Sequence, residues 1–507
     1  MLRRSKHALA FALIIASTVF APMAEAGKAP NPMATVSLPN SSPLVTFRLL
    51  FNVGAASDPK GKEGLAALTA SLLANGGSRE MTYEQIVSAM YPMATGFNSQ
   101  VDKEMTVFSG TTHVDNLPKY YQIISEMLLN PGWRADDFTR IREDALNYLK
   151  VSLRQANDEE LGKEALYQFI YEAGHPYGHN NAGTIASLEK LTLDDVKQFY
   201  RDHYTQANVV VGLAGGYPKG FDEKVQRDFA ARLPAGGAEK LGLPQPAKIS
   251  GLEMQVIEKN TLGTAISFGF PLPVTRKDAD WAALLVMQSY LGQHRSSSSY
   301  LYQRLREIRG LNYGDYAYIE YFPRGMFQFH PDPNLARQQQ IFQVWIRPVE
   351  PKNGLFALRA GLYEVNKLMR DGMTEKDFEA TRQFLSKFVN VLTKDQDAQL
   401  GYALDSRYYG IPSFTDYVRA QLAKLTLADV NRAIKKYLQA DNLKIVVITK
   451  DAAGFKEAAV ANKPSPISYT SPPPKEILEE DKLIESYKLN FNPSRVEIMP
   501  VEQVFQK

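Results

Sequence analysis

The chain of 507 residues holds few side chains suited to covalent or metal chemistry, and their spacing narrows the options further. It has no cysteine, which excludes thiol catalysis, disulfides and cysteine-bound zinc or iron–sulfur sites. Seven histidines are left for acid–base or metal work. His175 and His179 are four apart, but Pro176 and Gly178 lie between them, so they do not share a regular helix face. The stretch His175-Pro176-Tyr177-Gly178 reads as a structural turn. His113 and His203 fall in strand-end and helix-end contexts, His294 adjoins the loop Arg295–Ser299, and His330 sits among prolines. None has a partner at ligand spacing. Ser71 has no neighbouring His or Lys to activate it as a nucleophile. Arg306 and Tyr313 pair a guanidinium with a phenol seven residues on. By spacing alone they read as a solvated helix residue and a buried strand aromatic.

The elements that hold these residues belong to an ordinary globular protein, with 44% hydrophobic and 22% charged residues. A formal net charge of +3 is too balanced to argue for nucleic acid or an anionic membrane surface. Residues 1–26 look like a signal peptide: Arg3, Arg4 and Lys6 precede an apolar run from Ala8 to Phe20, and Ala24-Glu25-Ala26 supplies small residues for cleavage. Cleavage removes those three basic residues and the acidic Glu25, lowering the net charge from +3 to +1. No later stretch reaches the roughly 18 apolar residues of a spanning helix. The expectation is an exported, periplasmic protein without a membrane span.

The chain also repeats itself. Leu191-Thr192-Leu193-Asp194-Asp195-Val196 recurs as Leu425-Thr426-Leu427-Ala428-Asp429-Val430, each followed at equal spacing by Asn208 or Asn442 and a β-branched run. Thr192 with Asp195, and Thr426 with Asp429, fit capping boxes. Each copy therefore predicts a capped helix, a turn and a buried strand. Upstream, Val45 to Val53 alternates apolar and polar residues as a half-buried strand, followed by a helix through Leu65, Leu68, Leu72 and Leu73 that ends at Asn75-Gly76-Gly77. Ile266, Phe268 and Phe270 lead in the same way to a helix from Trp281 to Leu291. The fold class expected is α+β, as two duplicated tandem halves, each a mostly antiparallel sheet packed by helices. The boundaries are 27–245 and 246–455, joined by a Pro/Gly-rich linker and followed by a Pro-rich tail, 456–507, with a short charged helix between Lys475 and Tyr487.

Several stretches together resemble the insulinase/pitrilysin family of zinc metallopeptidases. They are Gly54-Ala55-Ala56-Ser57-Asp58, Gly64-Leu65-Ala66, Phe97-Asn98-Ser99, His175-Pro176-Tyr177-Gly178 and Arg309-Gly310-Leu311-Asn312-Tyr313. The resemblance runs from about Val36 to Asp451. It implies a first helix bearing H-x-x-E-H, whose two histidines hold zinc while the glutamate activates water, with a later glutamate completing the coordination. Here the His, Glu and His positions are Ala67, Ala70 and Ser71, and the later glutamate falls on Tyr148. Methyl groups offer no lone pair and a neutral hydroxyl is a poor zinc ligand. No metal is expected in this chain, and on its own it is not expected to be a zinc peptidase.

The resemblance also implies what is kept. An Arg and a Tyr at the spacing of Arg306 and Tyr313 grip substrate from the half facing the zinc, the Tyr hydroxyl donating to the scissile carbonyl. The strand at Asn98 and Ser99 matches a sheet edge onto which extended peptide adds. Arg309, Arg324 and Lys103 are further candidates for the same cavity. Lost ligands beside a kept Arg/Tyr pair match the non-zinc subunit of a heterodimeric member, closing clamshell-fashion with a partner that carries an intact H-x-x-E-H motif and the zinc. The alternative is a non-enzymatic peptide-binding or scaffold protein on the same fold.

Overall fold

A computed structural model of the chain describes residues 33–236, 241–469, 471 and 473–507. The expected signal peptide lies outside the described residues. Two mixed sheets organise the rest. The first contains β1 (Ala34–Pro39), β2 (Leu44–Phe51), β3 (Asn98–Val101), β4 (Thr106–His113) and β5 (Val209–Gly215), in the order β1-β5-β2-β4-β3. The second contains β6 (Leu252–Glu258), β7 (Thr264–Leu272), β8 (Asp315–Tyr318), β9 (Gln340–Val349), β10 (Leu443–Thr449) and β11 (Phe491–Pro500), in the order β11-β6-β10-β7-β9-β8. Without β11 the two orders are the same, and in both the first and last strands pair in parallel while the other pairings are antiparallel. This is the duplication expected from the repeated motif.

The repeat itself forms as its capping residues dictate. Thr192 caps the helix Leu193–His203 and Thr426 caps Leu427–Tyr437, each in a reciprocal box with the Asp three residues on. Each helix then delivers the chain to a strand buried along its whole length, β5 or β10.

Each half lends a helix to the other, which sequence order does not suggest. The helix Asp158–Tyr171 packs on β7 and β10 of the second sheet, where a Cβ at Gly162 would lie 3.2 Å from Ser267 Oγ. In return Gln396–Tyr409 covers β1, β2 and β5 of the first. Strand β2 is therefore not half-buried. Its polar side is sealed as well: Thr46 Oγ1 accepts from Gln396 Nε2 at 2.9 Å, and Arg48 donates to Asp397 and to Asn334 Oδ1, the latter at 2.7 Å. Thr46 and Arg48 are both buried as a result.

The segment 456–507 is built into the fold. The helix Ala452–Val460 runs across the 455/456 boundary. The helix Lys475–Glu485 follows, β11 extends the second sheet in parallel with β6, and the last residues return to the first half, where the Val504 carbonyl accepts from Arg154 Nε at 2.6 Å and the Phe505 carbonyl from the Ile185 amide at 3.0 Å. Among the described residues no helix is long and apolar enough to cross a membrane.

Candidate functional site

The helix Leu65–Asn75 starts where the Asp58 carboxylate accepts from the amides of Gly64 and Ala66, both at 2.7 Å. The amides at a helix N-terminus lack intrahelical partners, so this carboxylate fixes where the helix begins. Ala67 and Ser71 lie one turn apart on it. Tyr148 opens a π-helical turn, Tyr148–Leu153, that continues the helix Ala135–Asn147. All three side chains line one cavity of about 830 Å³, together with Asn98 and Ser99 on β3. The cavity's other walls include Glu160 and Glu164 from the exchanged helix and Arg324 from the second half. Ala70 is not among the lining residues and is fully buried in the first-half core.

The donors at these positions do not fit zinc. Two methyls, a hydroxyl and a phenol stand where imidazoles and carboxylates are needed. Tyr148 is 43% exposed; packing around its ring and the nearby charges of Glu164 and Glu160 push its phenol further from the phenolate a metal would require. The two carboxylates on the wall already have partners. Glu160 meets Lys163 Nζ at 3.2 Å and the Arg324 amide at 3.0 Å. Glu164 accepts from Tyr321 Oη at 2.6 Å and Asn180 Nδ2 at 2.9 Å, and burial raises its pKa. Among the described residues no group of three or more His, Cys, Asp and Glu side chains is arranged to hold a metal ion.

Strand β3 is the outer strand of its sheet and pairs only with β4, so its other edge is open. Asn98 is exposed and Ser99 half-buried. Of the further candidates, Arg324 lines the cavity and pairs with Asp332, but the other two do not. Lys103 is buried and donates to the His179 carbonyl; burial, reinforced by Arg337, pulls its pKa down to about 7. Arg309 is buried against Asp481 at 2.8 Å and Glu480 at 2.9 Å, partners on the C-terminal helix that no local motif announces. The two histidines at four-residue spacing are structural: His175 Nδ1 accepts from the Tyr177 amide at 3.0 Å, and His179 Nε2 lies 3.2 Å from Asp58 Oδ2.

Arg306 and Tyr313 lie apart from the cavity, on the segment leading into the outer strand β8. Arg306 is on the π-helical turn Tyr302–Glu307, one-third exposed, 4.6 Å above the Tyr302 ring and 3.7 Å from Glu307. Tyr313 is 75% exposed, not a buried strand aromatic, and its hydroxyl has no hydrogen-bond partner among the described residues. Its loop is fixed by Asn312, whose Oδ1 accepts from the Gly314 amide at 3.1 Å while its Nδ2 donates to Asp315 at 2.7 Å and the Arg347 carbonyl at 3.0 Å. An exposed phenol on a pinned loop costs little to desolvate and loses little entropy when it meets a ligand.

With this geometry established, comparison identifies the family. Residues 34–177 match the family model for insulinase, peptidase family M16, and residues 190–385 match that for the peptidase M16 inactive domain. The chain belongs to the M16 family, as a member lacking the zinc ligands. It is 22% identical to the non-peptidase homolog YmxG of Helicobacter pylori over 418 residues, 80% of this chain and 89% of that protein. It is also 22% identical to an uncharacterized zinc protease of Mycobacterium bovis over 356 residues, 70% of this chain and 76% of that one. The fold matches the crystal structure of a peptidase M16 inactive domain from Pseudomonas fluorescens with a TM-score of 0.72 and 24% identity, covering 82% of this chain and 95% of that one.

Proposed function

We propose that this chain is the non-zinc subunit of an exported two-subunit metallopeptidase, closing over an unfolded peptide and gripping it with Arg306 and Tyr313. The partner, bearing H-x-x-E-H, supplies the metal and the general base. The Tyr313 hydroxyl donates to the scissile carbonyl as negative charge develops on its oxygen, and the Arg306 guanidinium holds a neighbouring peptide carbonyl. The open edge of β3, with Asn98 and Ser99, offers a place for extended peptide to add as a strand. The observation that carries the reading is a contrast within one chain. Ala67, Ser71 and Tyr148, the positions the family gives to its zinc ligands, share a cavity wall that offers no imidazole, whereas the Tyr313 hydroxyl is exposed and has no partner among the described residues.

The test is a pull-down of the tagged mature chain from periplasmic extract, identifying by mass spectrometry what accompanies it in stoichiometric amount. Recovery of a chain with an intact H-x-x-E-H motif supports the two-subunit peptidase. Recovery of only itself, or of proteins without that motif, replaces the reading with a non-enzymatic peptide-binding or scaffold role.

A further inference from the structure

We propose that Glu480 and Asp481, on the C-terminal helix Lys475–Glu485, are positioning residues for Arg306 and Tyr313; the inference rests on the gripping role just described. The helix lies beyond residue 385, where the second family-model match ends. It packs beside the segment that carries the pair and meets it through charge. Arg309 Nε donates to Asp481 Oδ1 at 2.8 Å, and Arg309 Nη2 to Glu480 Oε2 at 2.9 Å. The third arm of the same guanidinium, Nη1, donates to the Arg304 carbonyl at 2.8 Å, inside the π-helical turn. The Arg304 side chain pairs with Glu480 and with Glu364, the latter at 2.7 Å, and Lys367 reaches Glu480 at 2.8 Å.

Three cations thus meet three carboxylates, and two of the carboxylates come from the C-terminal helix. The Arg309 and Glu364 side chains are wholly shielded from water. Arg304 stands two residues before Arg306, and Arg309 three after it, so the helix holds the turn on both sides of Arg306. From there the chain closes by the Gly310 amide on the Arg306 carbonyl at 2.7 Å, passes Gly310 at φ 64°, and reaches the Tyr313 loop. Without the two tail carboxylates, Lys367 loses its partner, Glu364 alone is left to Arg304 and Arg309, and Arg309, 3.9 Å from it, is a buried charge short of partners that must find water. The turn has to move for it to do so, and Arg306 moves with it.

The experiment compares the full-length chain with Glu480→Gln/Asp481→Asn, using Glu479→Gln on the exposed side of the same helix as control. Hydrogen exchange over 302–314 is expected to quicken at least tenfold in the double variant, with β7 and β9 unchanged. Unchanged protection over 302–314 overturns the proposal. If the double variant does not fold, Glu480→Gln alone is read by the same criterion, because its side chain keeps a route to solvent. In the complex with the zinc-bearing partner, cleavage of a fluorogenic peptide is expected to lose at least fivefold in kcat, and Asp481→Glu to recover part of it. Tyr313→Phe in the same assay separates the two ideas. If it slows turnover and the tail variant does not, only the positioning role falls; if neither slows turnover, the gripping role falls and takes this inference with it.

Discussion

Asp102 and Arg337, separated by 235 residues, form a two-pronged ion pair with both side chains buried, Nε–Oδ2 at 2.8 Å and Nη2–Oδ1 at 2.5 Å. The Arg337 guanidinium also lies 3.8 Å from the centre of the Tyr321 ring. Beside the pair, Glu104 accepts from the Gln338 amide at 2.6 Å and from Tyr408 Oη at 2.7 Å, and Gln100 Nε2 donates to the Pro333 carbonyl at 3.0 Å. The β3–β4 turn of the first half is thereby locked to segment 333–338 of the second, and the cavity beside β3 keeps its shape. Asp102→Ala or Arg337→Ala leaves one charge buried without its partner and is expected to cost about 3–5 kcal/mol. Asp102→Leu with Arg337→Met removes both charges and is expected to cost much less. Denaturant titration of the three variants checks this, and a double variant no better than either single one would count against a pure charge-pairing account.

What the sequence discloses about this fold is mainly what is local. The capping boxes at Thr192 and Thr426 are closed by bonds spanning three residues, so the repeat and the helices it starts can be read directly. The burial of Arg48 depends on Asp397 and Asn334, 349 and 286 residues away, and no periodicity in β2 reveals that a helix from the other half covers its polar face. Arg309 illustrates the same limit from the other side. It stands near the Arg/Tyr pair in sequence and looks like a cavity residue, yet its partners lie 171 and 172 residues on, in a segment that reads as a tail. Ala67 and Ser71 share a helix face by their spacing, but their convergence with Tyr148 follows only from the family resemblance. By spacing alone Tyr313 reads as a buried strand aromatic, whereas in the fold it is exposed on a loop held by the Asn312 Oδ1 to Gly314 amide bond, as the role implied by the family resemblance requires.

The roles proposed for Arg306 and Tyr313 predict a specific kinetic outcome. Tyr313→Phe removes one hydroxyl from an exposed side chain, so folding and assembly with the partner should be unchanged. Loss of one oxyanion donor costs about 2.7–4 kcal/mol in other proteases. Turnover by the complex should accordingly fall by at least tenfold for Tyr313→Phe and likewise for Arg306→Ala. Steady-state cleavage of a quenched peptide, with assembly followed by size-exclusion chromatography, measures both. Unchanged turnover in both variants would sink the gripping role.

Asp315, at the foot of the Tyr313 loop, predicts a pH dependence of stability. Its carboxyl is fully buried, Oδ1 accepts from Asn312, and Oδ2 has no partner among the described residues. Burial raises its pKa to about 8, against the lowering effects of the Asn312 hydrogen bond and the Arg347 and Arg306 charges. In the unfolded chain the group titrates near its ordinary value of about 4. Between these values the folded chain holds one more proton than the unfolded, so stability falls as pH rises across that window. The contribution is complete below about pH 4 and lost above about pH 8. Asp315→Asn keeps the acceptor and has no charge to bury. Its advantage over the unchanged chain should be near zero at the acid end and grow steadily to pH 8, measured by denaturant midpoints at several pH values. A gap independent of pH would mean that Asp315 is ionised in the fold.

The convergence of Ala67, Ser71 and Tyr148 can be tested by placing zinc donors at these positions. If the backbone still presents them as a zinc site would, then Ala67→His, Ser71→His and Tyr148→Glu together supply two imidazoles and a carboxylate on one cavity wall. Three such ligands suffice for a site that keeps an open coordination position. The triple variant is expected to retain about one zinc per chain after gel filtration in chelator-free buffer, and the unchanged chain none, by elemental analysis. Ala67→His with Ser71→His alone should bind much more weakly, since the carboxylate from the second helix is missing. Restoring the general base is a different matter. Ala70 is fully buried in the core and does not line the cavity, so a glutamate there must push into packed side chains before it can reach a metal-bound water. The triple variant should therefore bind zinc without hydrolysing peptide. Zinc binding in the triple variant would show that the helix and the π-helical turn hold these positions within coordination range, whereas no binding would mean that they do not.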